Sequence, residues 1–183
     1  MVSAAASVEQ VWGWLAEIED PEIPVVSIVD LGIVRDVRRS DEAAGEAWEV
    51  VLTPTYSGCP ATEVITRSVE DGLRSRGVER VRVRMQLSPA WTTDWMGEEA
   101  RRKLRGYGIA PPLGQASEQV IDISRITRRR GPGPVAAVTP AGLSCPKCGS
   151  ARVQLVSQHG STPCKSLYRC LACAEPFDHF KCH

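Results

Sequence analysis

Two C-x-x-C pairs constrain what this chain can fold into more than any other feature. They are Cys145-Pro-Lys-Cys148 and Cys170-Leu-Ala-Cys173, separated by 21 residues. Each pair turns two thiolates toward one point, and two such turns brought together complete a tetrahedral metal site. We therefore predict a closed, structural zinc site on Cys145, Cys148, Cys170 and Cys173, in a ribbon too small for its own core. Rubredoxin-like iron fits the same ligand set and stays open as an alternative.

Cysteine usage also bears on the redox compartment. The chain has 7 cysteines, an odd number, of which the two pairs account for four. This pattern favours metal binding over a disulfide framework and predicts a reducing cytoplasm. Cys164 and Cys182 lie outside the pairs. Either could displace a predicted ligand, but four thiolates already fill a tetrahedral site, so we interpret both as spare.

The charge balance gives no indication of a nucleic-acid or membrane partner. The 22 basic and 22 acidic residues cancel, so the chain as a whole offers no electrostatic reason to bind nucleic acid or an anionic membrane. No apolar run approaches membrane-spanning length, and the N-terminus lacks a basic region followed by an apolar signal stretch. The basic run 128–130 has no aromatic residues beside it and is interpreted as a solvated tether.

Hydrophobic periodicity predicts a small α+β domain in the first part of the chain. The order helix, strand, strand, helix, strand favours two layers, with the helices on one face of the sheet. The predicted elements include a helix capped by Ser7, strands at 33–39, 48–53 and 81–87, and a last helix at 98–105.

The composition changes at Pro111-Pro112. Residues 113–143 are rich in Pro, Gly, Ala and Ser and are interpreted as a linker. The predicted division is therefore a domain at 1–112, a linker at 113–143 and a separate zinc ribbon at 144–183. Limited proteolysis is expected to cut first at the arginines 128–130.

Cys59 lies between a predicted strand and a predicted helix. Pro60 suits the first helical position, which places Cys59 at the N-cap, beside unpaired N–H groups and the positive end of the helix dipole. That environment lowers a thiol pKa and makes the sulfur nucleophilic or metal-binding. The alternative is a small buried thiol that packs under the helix.

Three acids, Asp20, Glu22 and Asp30, occur in a segment that is otherwise apolar or turn-forming. The simpler interpretation makes Asp20 and Asp30 turn residues whose side chains bond nearby backbone N–H groups. The functional interpretation places some of the acids near Cys59, as metal ligands or orienting groups. Spacing alone favours turns, because acids beside Pro and Gly so often form them.

Several stretches resemble known families. Asp20–Val25, Asp30–Val34 and Thr53–Thr62 resemble the domain of the SufT-like (MIP-type) iron–sulfur assembly factors. Ala90–Met96 and the tail from Gly160 to Cys182 are similar to a narrower group, the PaaD (PaaJ) subunits of bacterial phenylacetyl-CoA epoxidase. The resemblance covers residues 8–112 and 144–183.

This resemblance implies a place in aerobic phenylacetate degradation, where a multicomponent di-iron oxygenase epoxidises the ring of phenylacetyl-CoA. PaaD-like chains are the small extra component that helps to mature or maintain a metal centre. The sequence has no Rossmann glycine fingerprint and no paired Glu-x-x-His helices, which fits that division of labour. The implied partners are the oxygenase and reductase subunits, with a homodimer left open. The implied functional residues are Cys59, Asp20, Glu22, Thr53 and Thr62.

Three hypotheses follow. In the first, the chain is a maturation factor that holds iron or an iron–sulfur cluster transiently at Cys59, while the ribbon docks a client. In the second, it is a structural or regulatory subunit in which Cys59 is inert and the ribbon is the working surface. In the third, it is an electron carrier, which requires iron in the four-thiolate site.

Overall fold

The computed structural model describes residues 6–40, 47–56, 58–113 and 142–181. Its helices and strands form two small sheets, and the predicted α+β class is confirmed. The helices are α1 (Val8–Leu15), α2 (Thr62–Arg74) and α3 (Glu98–Tyr107), with a 3-10 turn at Thr93–Trp95. The strands are β1 (Val34–Ser40), β2 (Ala47–Leu52), β3 (Val81–Met85), β4 (Ile109–Ala110), β5 (Val153–Ser157), β6 (Lys165–Cys170) and β7 (Pro176–Phe180).

The first sheet has the order β1-β2-β3. β1 pairs antiparallel with β2, whereas β3 lies parallel to β2 and α2 makes the crossover between them. The buried face of α2, Ile65, Val69 and Leu73, shares one apolar cluster with Val50 and Leu52 of β2. This packing brings the end of β2 and the start of α2 together, which is where Cys59 lies.

The second sheet has the order β4-β7-β6-β5. β5, β6 and β7 form the antiparallel ribbon, and β4 joins it from the first domain by pairing parallel to β7, with Ile109 opposite Asp178. Two ribbon residues, Cys164 and Phe180, belong to the apolar cluster of the first domain. The ribbon therefore packs against the first domain, since a module of this size gains a core from its neighbour.

Of the predicted linker at 113–143, the structure describes residues 113, 142 and 143. Leu143 is buried among the ribbon residues Cys145 and Tyr168. The arginines 128–130, where proteolytic cleavage is expected, lie outside the described residues. The boundaries at 112 and 144 stay a prediction. Within the described ranges, no helix is long and apolar enough to cross a membrane.

The loop at 90–96, which carries Trp91 and Trp95, closes the core of the first domain. Trp91 is buried, its indole Nε1–H donates to the carbonyl oxygen of Leu31 at 2.9 Å, and its ring centroid lies 5.9 Å from that of Phe180. The guanidinium of Arg35 lies 3.4 Å above the centroid of the Trp95 ring. The loop thus holds the ribbon against the first domain.

Candidate metal-binding sites

The four predicted ribbon ligands meet in space. The sulfur atoms of Cys145, Cys148, Cys170 and Cys173 all lie within 4.8 Å of one another. The Sγ–Sγ distances are 3.8 Å for Cys145 to Cys173 and 3.5 Å for Cys148 to Cys170. Four soft sulfur donors converging from two turns fit a tetrahedral thiophilic metal such as zinc or iron.

The second C-x-x-C turn is built to stabilise a thiolate. The backbone N–H groups of Cys173 and Ala172 point at the sulfur of Cys170, with N–S distances of 3.5 and 3.4 Å. The Cys173 N–H, helped by that of Ala172 and opposed by burial, holds the pKa of Cys170 at about 6. The Ser150 N–H is the largest single influence on Cys148 and lowers its pKa, but the neighbouring sulfurs of Cys170, Cys173 and Cys145 together with burial outweigh it and raise that pKa to about 12. Thiolates this close repel one another, so all four can ionise only around a cation.

A second candidate site opens where β2 ends and α2 begins. Its polar walls are Asp20 and Glu22 from the loop after α1, Thr55 and Cys59 from the segment between β2 and α2, Thr62 at the first position of α2, and Cys164 from the ribbon. The remaining walls are mostly apolar and come from the core of the first domain. The pocket therefore brings together two thiols and two carboxylates inside an apolar rim. We call it the Cys59 pocket.

Cys59 does not occupy the predicted N-cap. The helix begins at Thr62 and its N-cap is Ala61, because the first bond of the α type runs from the Ile65 N–H to the Ala61 carbonyl at 2.9 Å. Pro60 forms part of a preceding turn, in which the Thr62 N–H donates to the Cys59 carbonyl at 3.2 Å. Cys59 thus lies two residues before the N-cap, and its thiol is half-buried.

The prediction of a lowered Cys59 pKa is wrong in its sign. Burial of the sulfur is the largest influence and raises the pKa of Cys59 above its ordinary value. The Ala61 N–H and the Thr62 side chain bond to the thiolate and oppose this change, whereas the charges of Glu22 and Asp20 add to it. The helix terminus does act on the thiol, but burial and two nearby carboxylates outweigh it. The resting group is a thiol, and it must lose its proton before the sulfur can bind a metal.

Asp20 forms the predicted turn and also lies near Cys59. Asp20 Oδ1 accepts hydrogen bonds from the backbone N–H groups of Glu22 and Ile23, each at 2.9 Å, which is the turn geometry. Asp20 also lines the Cys59 pocket and is buried, and this burial raises the pKa of its carboxyl group despite the two N–H donors. Asp30 is a turn residue that accepts from the Ser27 N–H.

Of the two predicted threonines, Thr62 lies in the Cys59 pocket and Thr53 lies outside it. Thr62 lines the pocket, and its side chain favours the thiolate form of Cys59. Thr53 is buried at the end of β2, and its backbone N–H donates to the Ile33 carbonyl at 2.8 Å. Thr53 is not among the pocket-lining residues, although Pro54 and Thr55 are.

Cys164 is the site residue that sequence reasoning missed. It is spare with respect to the ribbon cluster, as expected, but it lines the Cys59 pocket. Its sulfur lies 4.0 Å from Oε2 of Glu22. The available signal was its position inside the distinctive stretch 160–170, outside both C-x-x-C pairs. Cys182 lies outside the described residues.

Comparison with known proteins agrees with this two-part construction. A family model described as an iron–sulfur cluster assembly protein matches residues 8–85, and one described as the PaaD zinc beta ribbon domain matches residues 131–181. The chain is 45% identical over 179 residues to a putative 1,2-phenylacetyl-CoA epoxidase subunit from Escherichia coli (strain K12), covering 98% of this chain and 95% of that protein. The chain belongs to the PaaD family.

Two solved structures are similar to part of this PaaD-family chain. A DUF59 domain of unknown function from Bacillus anthracis is 27% identical with a TM-score of 0.48, covering 53% of this chain and 90% of that chain. A conserved hypothetical protein from Thermotoga maritima is 29% identical with a TM-score of 0.47, covering 56% of this chain and 98% of that chain. The two family models divide the Cys59 pocket between them, since Asp20, Glu22 and Cys59 fall in the first and Cys164 in the second.

Proposed function

We propose that this chain is an accessory, non-catalytic component of a cytoplasmic multicomponent phenylacetyl-CoA epoxidase. Its task is to help mature or maintain an iron or iron–sulfur centre in a partner subunit. The observation that carries the proposal is the Cys59 pocket, where a half-buried thiol faces Asp20 and Glu22. Thiol and carboxylate donors together suit iron, and partial exposure leaves the metal accessible for transfer.

In this proposal, Asp20 and Glu22 serve Cys59 in different ways. Asp20 is held by two backbone N–H groups, so it acts as a fixed negative charge beside the site. Glu22 donates its own N–H to Asp20 while its carboxylate lines the pocket, so it is the carboxylate available as a ligand. Thr62 hydrogen bonds to the thiolate, whereas Thr53 supports the strand end from outside the pocket.

The ribbon holds a structural zinc ion in the same proposal. All four donors are protein thiolates, so the site is closed and offers no position for a substrate. An electron carrier would need iron on these four sulfurs instead. Metal analysis of the purified protein decides between the two: zinc at one ion per chain removes the carrier, and iron with a thiolate charge-transfer spectrum supports it.

The maturation role is tested with a Cys59→Ser variant. Serine is similar in size but cannot supply a thiolate, so epoxidation of phenylacetyl-CoA in cells should fall at least tenfold while the melting temperature stays nearly unchanged. Val64→Ser is the matched control, because Val64 lies in the first turn of α2 and its side chain is exposed. Normal growth on phenylacetate with the Cys59→Ser allele, at wild-type protein levels, would contradict the maturation role and favour the structural-subunit hypothesis.

A further inference from the structure

One cysteine of the ribbon, Cys164, is buried in the core of the first domain. Cys164 precedes β6, yet its side chain is buried in the apolar cluster of the first domain and lines the Cys59 pocket. The four-sulfur cluster lies near the opposite end of β6, at Cys170. Along a strand of this length the two ends are separated by about 17 Å, so Cys164 serves a place distinct from the ribbon metal.

The position of Cys164 is set by several contacts. Its carbonyl accepts from the Lys181 N–H at 3.0 Å, which continues the pairing of β6 with β7. Its sulfur lies 3.0 Å from the hydroxyl oxygen of Thr162. One residue before Lys181, Phe180 packs against Trp91 of the first domain. The ribbon is therefore docked in a way that holds this sulfur at the pocket wall.

The surroundings of this sulfur are those of a ligand. A cysteine that only fills space needs apolar neighbours, yet the Cys164 sulfur lies 4.0 Å from a carboxylate oxygen of Glu22. Cys59, Cys164 and Glu22 all line the same pocket. Two thiols and a carboxylate that face one another repel when ionised, and a cation between them removes that repulsion.

We propose that Cys164 is a second protein ligand to the metal bound at Cys59, with Glu22 as the third. This inference rests on the proposed function and adds to it the requirement that the ribbon completes the site. Binding releases one proton from each thiol to solvent and forms two metal–sulfur bonds, with no change of oxidation state. The ligand class is a thiophilic transition-metal ion, alone or as part of an iron–sulfur cluster.

The donors of the Cys59 pocket are more widely spaced than those of the ribbon. Within the described residues, Cys145, Cys148, Cys170 and Cys173 are the one group whose donor atoms all lie within 4.8 Å of each other. The donors of the Cys59 pocket must therefore draw together around the ion. Its affinity is expected to be lower than that of the ribbon, as a metal-transfer site requires.

The test is a cobalt titration of the full-length protein whose ribbon has first been filled with zinc. Co²⁺ alone is the probe, because its thiolate charge-transfer absorption per bound ion grows with the number of sulfur ligands. Wild type should show absorption for two thiolates. Cys164→Ser should show about half of it with at least tenfold weaker binding, as losing a ligand implies. Val156→Ser, an exposed ribbon substitution, should behave as wild type.

The outcomes separate this inference from the proposed function. Full absorption per ion in Cys164→Ser, with Cys59→Ser binding nothing, would overturn the role of Cys164 and leave the maturation role standing. Binding unchanged in Cys59→Ser would overturn the Cys59 site itself. Cobalt-edge X-ray absorption of the wild type needs no variant and applies even if Cys164→Ser misfolds. Two sulfur neighbours support the inference and one sulfur neighbour contradicts it.

Discussion

Replacing Phe180 by alanine should uncouple the ribbon from the first domain. Phe180 is 1% exposed, belongs to the apolar cluster of the first domain and forms a tilted ring pair with Trp91. Removing a buried phenylalanine side chain costs about 3–5 kcal/mol, and the lost ring pair favours the upper half of that range. For a chain of this length about 4–5 kcal/mol corresponds to a melting temperature lower by roughly 8–20 °C.

The assay is thermal unfolding followed by tryptophan fluorescence, since Trp91 reports on the contact itself. Val156→Ala on β5 is the matched control, because Val156 is 57% exposed and its truncation should change stability by less than about 0.5 kcal/mol. Removing the ribbon metal with a chelator should also lower the melting temperature of the first domain in wild type. Equal melting temperatures for the two variants, or chelation that leaves the first domain unaffected, would refute the coupling inferred here.

Three further predictions concern single positions. Gly32→Ala should be destabilising by about 1–3 kcal/mol in urea unfolding, since φ is +67° and the new Cβ would lie 2.7 Å from Trp95 Cβ; Gly106→Ala inside α3, whose new Cβ meets nothing within 4 Å, should not be destabilising. Alkylation of Cys59, followed by mass spectrometry at pH 7–8, should be slower than that of a free thiol because burial raises its pKa; faster labelling would contradict this. Burial lowers the pKa of His179 to about 4, so between about pH 6.5 and 4 the unfolded chain binds a proton that the folded chain does not. Stability should fall as the pH is lowered across that window, by up to about 1.4 kcal/mol per unit, and a His179→Gln variant with the wild-type pH profile would show that His179 is not the cause.

Local pattern was enough to predict much of this protein. The ligands of the ribbon metal could be read from spacing, because two cysteines in one C-x-x-C turn meet whatever the rest of the chain does. The strands of the first sheet followed from their alternation, and the capping residue Ser7 predicted the start of α1. The turn role of Asp20 is likewise local, since its partners are two and three residues away.

Long-range packing decided which residues form the Cys59 pocket and in which direction the pKa of Cys59 is shifted. Cys164 and Glu22 are far apart in sequence, and only the docking of the ribbon through Phe180 brings them to one pocket. The sign of the Cys59 pKa shift depended on the same packing. The helix terminus that should lower the pKa was visible in the sequence, but the burial and the two carboxylates that raise it are properties of the assembled pocket. Spacing along the chain determines contacts within a turn, whereas desolvation and charge at a site depend on every segment that packs around it.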